Sequence, residues 1–113
     1  MARLAGPEGL PALVSVLRAL TEDKIEATLA RDAIQLEQIL VSEAAPLLSL
    51  RRLAPSAHLL PDAVRAQLAQ DVARWQERTE YLGHLLETQL GYVDFARFVL
   101  GIHEVARRID ESV

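Results

Sequence analysis

The sequence predicts an all-α protein, a long antiparallel helical hairpin or bundle of coiled-coil character, and three observations carry that expectation. Apolar residues recur in steps of three and four at Ile25, Leu29, Ala33, Leu36, Leu40, Leu47 and Leu50, with Glu43 in the one missing position, and a second seam runs through Val64, Leu68, Val72, Trp75, Thr79, Leu82, Leu86, Gln89 or Leu90, and Val93, a spacing that no strand uses. Hydrophobic residues make up 50% of the chain but aromatics only 4%, with Leu and Ala dominant, which is the composition of helices packed on helices. A single clear connection, Ala54 to Pro61, separates the two periodic stretches. At 113 residues the whole chain, 1–113, is expected to form one domain: a helix over about 10–53, a loop over 54–61 and a helix over about 62–110 with a break near 91–94.

Residues 1 to about 8 read as a loose tail, because Gly6, Pro7 and Gly9 interrupt any periodicity. Pro11 falls in the first turn of the first helix, where proline is tolerated, and Leu13, Leu17 and Leu20 follow at helical spacing. The step from Leu20 to Ile25 is five, across Thr21-Glu22-Asp23-Lys24. Either one helix unwinds locally there or Thr21 caps a new one, and the absence of Gly and Pro favours continuity. Beyond it, Glu43 takes the one position missing from the apolar seam, and a second row, Ile34, Val41 and Leu48, repeats every seven residues on a flank. Pro46 removes one helical hydrogen bond at a cost of about 3 kcal/mol, yet Leu47 and Leu50 keep the register beyond it, so a bent rather than a broken helix is expected, ending near Leu53.

In the connection, Ser56 can cap a short turn that holds Leu59 or Leu60 against the hairpin, and Asp62 supplies a carboxylate to the first turn of the next helix. The outer face of that helix mixes signs: Arg65, Asp71, Arg74, Glu77, Arg78 and Glu80. From Leu85 a second heptad row appears, Leu85, Tyr92, Val99, Ala106 and Val113, and both Phe and both Tyr residues crowd into this third of the chain. Gly91 and Asp94 mark a restart, which makes the C-terminal part a bent or separate helix. Two helices of such lengths would each span about 65–75 Å, with the N-terminal leucines lying beside the C-terminal aromatics. The second rows of both helices would stay open, and contiguous exposed apolar surface marks a partner site or an oligomer interface.

Function classes narrow by elimination. Net charge is −4 and Lys is nearly absent, so nucleic-acid binding would rest on Arg51-Arg52 and Arg107-Arg108, which the ends of helices explain more simply. With no Cys, disulfides and thiolate chemistry are excluded, and a reducing, cytoplasmic setting is expected. No run of about 18 apolar residues is present to span a membrane. The residues three before His58, His84 and His103 are Pro55, Tyr81 and Leu100, so the Glu-x-x-His pattern of metal-binding bundles is absent, and Glu80, His84 and Glu87 read as a surface contact. Neither a nucleophile elbow nor a phosphate-cradling glycine loop occurs. No enzyme, metal or cofactor is expected. Trp75 reads as a core anchor of the main seam, whereas Tyr92, Phe95, Phe98 and Val99 point in too many helical directions to face one partner helix.

Two segments resemble a known family. TLARDAIQLEQILVSEAAPLLSLRRL, with its Leu29-Ala30-Arg31-Asp32 step and the leucine-rich run after it, resembles the first-helix signature of FlgN-type flagellar export chaperones, and YLGHLLETQLGYVDFARFVL is similar to that family's second half. The likeness covers about Leu10 to Ile109; Pro46 and the early end after Val113 depart from the pattern. What it implies is a cytoplasmic chaperone that binds amphipathic helices of flagellar hook-filament junction proteins and hands them to the type III export apparatus. Under that resemblance the contact residues are Leu85, Tyr92, Phe95, Phe98, Val99 and Ile102. A structural homodimer, in which the second rows of two copies bury one another, is the competing expectation.

Overall fold

A computed structural model describes residues 6–90 and Ile109, and among these residues every regular element is helical. After a short 3-10 turn at Pro7–Gly9 come helices α1 (Leu10–Leu29), α2 (Ala33–Leu53) and, beyond a 3-10 segment at Ala54–Leu59, α3 (Asp62–Leu90). The all-α bundle is as predicted. Its topology is not a two-helix hairpin, because the helix expected over 10–53 is two helices folded back on each other.

The turn between them is built from backbone. Arg31 N–H donates to Thr28 O at 3.1 Å and Asp32 N–H to Ala27 O at 2.9 Å, the paired bonds of a Schellman ending, with Arg31 in the left-handed region at φ 55°. Asp32 then caps α2 by accepting from Gln35 N–H at 3.0 Å. Leu29-Ala30-Arg31-Asp32 is therefore a reversal of direction. The five-residue step at Leu20 to Ile25 is no reversal at all: α1 runs through it, and its buried positions include Leu10, Val14, Leu17, Thr21, Lys24 and Thr28, an alternation of four and three, with Ile25 and Ala27 buried beside them. Three of those six side chains are polar, so an apolar pattern could not follow the seam. α2 is continuous through Pro46 and closes at Leu53 with Arg51 and Arg52 in its last turn, where cations suit the helix dipole.

α1 packs against both α2 and α3. Residue pairs fix the directions: Arg18 meets Asp71, Thr21 meets Trp75, Glu22 meets Arg78 and Thr28 meets Gln89, so α1 and α3 run parallel, while the tight turn makes α2 antiparallel to α1. The N-terminal leucines consequently lie beside the start of α3; the aromatics of residues 92–98, expected beside them, lie outside the described residues. The larger apolar cluster joins Leu10, Val14 and Leu17 to Leu50, Leu53, Leu68, Val72 and Trp75, with Ile109 also buried in it. A smaller one at the opposite end of the helices joins Ile25, Leu82 and Leu86, with Leu36 and Leu85 packed on its edge.

Candidate functional site

Between the two apolar clusters lies a polar layer. Lys24, on α1, has no exposed surface and its ammonium group donates to Glu43 Oε2, on α2, at the one seam position the apolar pattern left vacant. One turn earlier on α1, the Trp75 indole N–H donates to Thr21 Oγ1 at 3.0 Å, and Thr21 Oγ1 donates in turn to Leu17 O at 2.9 Å. Thr79, one turn beyond Trp75 on α3, has a buried hydroxyl with no hydrogen-bond partner. Burial pushes the Lys24 ammonium below the usual lysine range, and Glu43 offsets part of that effect. The folded chain thus releases this proton at lower pH than the unfolded chain, and the Lys24 contribution to stability rises with pH between the two values. Enclosed in the packing, the pair bridges α1 and α2.

The opposite side of α2 has the reverse character. Ile34, Val41 and Leu48 are 72%, 73% and 66% exposed, which places the predicted flank row in solvent. Gln38, Leu40, Ser42, Ala44 and Ala45 are exposed beside them, and from Glu37 to Arg51 the only charged residue is Glu43, which points inward. A helical face with large apolar side chains, small neighbours and no charge across its centre is poorly suited to water and well suited to another helix. Ile34, Glu37, Gln38, Val41 and Ser42 line a shallow open groove along it. Leu29 and Leu40, expected on the inner seam, are exposed as well: Leu29 ends α1 at the turn, and the turn at residues 30–32 resets the register of α2 so that Ile39 faces inward in place of Leu40.

Of the six residues the family likeness nominated for partner contact, only Leu85 is among the described residues; it is half-buried against the smaller cluster. Tyr92, Phe95, Phe98, Val99 and Ile102 lie outside them. Trp75 is fully buried, a core anchor. His58 and His84 are exposed, His103 lies outside the described residues, and among the described residues no three His, Asp or Glu side chains come together as metal ligands. A groove between α1 and α3 carries Arg18, Glu22, Arg74, Glu77 and Arg78, yet Glu22 is held by Arg78 through two bonds of 2.8 and 3.0 Å and Arg18 by Asp71 at 3.2 Å. The Arg78 hydrogen bonds hold the Glu22 carboxyl below the usual carboxylate range. These two ion pairs, Arg18–Asp71 and Glu22–Arg78, span the α1–α3 seam. No helix among the described residues is long and apolar enough to cross a membrane.

What the apolar spacing missed is the uncharged stretch itself. The signal was in the sequence: fourteen steps separate Glu37 from Arg51 with only Glu43 between, and Glu43 falls on the arc facing α1. Compared with known proteins, the sequence matches no family model and no curated protein, and the fold matches no solved structure.

Proposed function

We propose that this chain is a helix-binding protein that takes an amphipathic helix of a client on the outer face of α2, and that it serves as a cytoplasmic export chaperone of the FlgN type, for hook-filament junction proteins bound for the flagellar type III apparatus. The observation that carries the helix-binding reading is the exposed row of Ile34, Val41 and Leu48 on a face without charge. The client would lay its own apolar residues along that row, at i, i+3, i+4 and i+7, hiding both surfaces from water. The flagellar assignment rests on the resemblance of residues 10–109 alone. Residues 91–113, with Tyr92, Phe95, Phe98, Val99 and Ile102, would extend the contact beyond α2.

Mixing the purified chain with a C-terminal fragment of a hook-filament junction protein tests this, read by size-exclusion chromatography and calorimetry. The expected result is a complex that Val41→Asp abolishes without loss of helical content. A tight homodimer that ignores the fragment would overturn the proposal and leave the structural dimer in its place. The double variant Phe95→Ser with Phe98→Ser is expected to weaken the same complex with helicity intact.

A further inference from the structure

The charges at the two ends of the α2 outer face specify more than that a helix binds there. At 100° per residue Ile34 and Arg52 fall on one line along α2, Val41 and Ala45 within about 20° of it and Leu48 within about 40°, so the row runs straight into the basic end of the helix over about 27 Å. Arg52, exposed, closes the face at that end, with exposed Arg51 about 100° round the helix beside it; Glu37, also exposed, flanks the face at the other end, and its centre is uncharged. We infer that the occupant is an amphipathic helix running antiparallel to α2, with acidic residues in its first turn over Arg51 and Arg52 and an uncharged centre over Val41 and Ala45. This inference rests on the helix-binding reading above.

Two physical terms select that orientation together. Acidic residues are most at home in the first turn of a helix, where they complement its dipole, and only the antiparallel arrangement brings a first turn to the Arg51–Arg52 end. A parallel helix would have to carry its carboxylates in the last turn, where the dipole disfavours them, and would set its own dipole alongside that of α2. The small side chains Ser42, Ala44 and Ala45 beside the row leave room for the partner backbone to approach closely at the centre. A second copy of this chain fits less well. Packed antiparallel about Val41, its first turn would present Arg31 as well as Asp32 to Arg51; packed parallel, it would bring two Arg51–Arg52 pairs together.

Two synthetic helical peptides with the same apolar heptad row test the inference, one with two Glu in its first turn and the other with Gln at those positions. Calorimetry against the full chain at low salt is expected to show the Glu peptide binding about three- to tenfold tighter, an advantage that 1 M salt removes. The variant Arg51→Gln with Arg52→Gln should bind both peptides equally, which separates the charge contact from any gain in peptide helicity. A spin label on Ser49→Cys is expected to broaden signals from the peptide N-terminus, and a label on Gln35→Cys those from its C-terminus. Equal affinities for the wild type, or the reverse labelling pattern, would overturn the orientation while the helix-binding reading stands. Binding of neither peptide, or a wild-type dimer that must dissociate before peptide binds, would overturn that reading itself.

Discussion

Helices α2 and α3 are built in opposite senses. α3 turns Leu68, Val72, Trp75, Leu82 and Leu86 to the core and Arg74, Glu77, Arg78, Glu80 and Glu87 to water, so each of its faces has the surroundings it suits. α2 sends its one central charge, Glu43, inward and three of its largest apolar side chains outward. Burying Glu43 is tolerable only because Lys24 is buried with it, and exposing Ile34, Val41 and Leu48 gains nothing for the isolated fold. The contrast teaches where unspent apolar surface lies: α3 buries the arc from Leu68 to Leu86 within this chain, while α2 leaves Ile34, Val41 and Leu48 in solvent.

Substitutions can break this contrast, and the largest effect is expected from placing the same charge on each helix. Val72→Asp puts an unpaired carboxylate among fully buried apolar residues of the α1–α3 seam and is expected to leave the chain unfolded by circular dichroism. Val41→Asp should change the urea midpoint by no more than the equivalent of about 0.5 kcal/mol. If the two variants were equally disrupted, the outer face of α2 would be core. Next in size, Glu43→Ala removes the carboxylate that faces the buried Lys24 ammonium and is expected to cost about 3–5 kcal/mol in urea denaturation, whereas Lys24→Met combined with Glu43→Leu should recover or exceed the original stability. A double variant as unstable as Glu43→Ala would show the pair to be irreplaceable.

Smaller effects sharpen the picture at the edges of α2 and α3. Arg31 holds a left-handed conformation that glycine adopts freely, so Arg31→Gly is expected to stabilise the chain by about 0.5–1 kcal/mol, visible as a raised Tm; a lowered Tm would mean that the arginine side chain holds the turn. The smallest effect concerns the conventional surface of α3. Because Arg78 lowers the Glu22 pKa on folding, this pair stabilises the fold above the ordinary carboxylate value and its contribution is lost as pH falls through the folded value. Arg78→Met should flatten the stability profile below the ordinary carboxylate value and should make that part of it insensitive to salt. A profile unchanged by Arg78→Met would assign the titration to another carboxylate.

The seam of α3 was legible residue by residue, because from Leu68 to Leu86 only Thr79 among the seam positions is polar. The open row on α2 was legible for a related reason, since Ile34, Val41 and Leu48 repeat at a strict seven. The α1–α2 reversal was not, because its left-handed residue is Arg31 and neither Gly nor Pro marks the turn; the backbone bonds from Arg31 and Asp32 to Thr28 and Ala27 do what glycine usually signals. Missing the reversal carried Leu29, Ala33, Leu36 and Leu40 onto a false common seam. The polar layer was hidden by the same habit of counting apolar residues, which reads Thr21, Lys24 and Thr28 as a gap although they continue the α1 heptad. The candidate binding face was thus half visible: its apolar row by spacing, its freedom from charge only once Glu43 had an assigned direction.

Lys24 is the only lysine in the chain. With its amine enclosed, an amine-acylating reagent reaches this side chain only when the packing around it opens. An adduct on Lys24, located by peptide mapping, therefore reports molecules in which α1 and α2 have parted. The rate at which that adduct accumulates is a direct clock for separation of the two helices, and a ligand seated on the far side of α2 would slow it without ever touching the lysine.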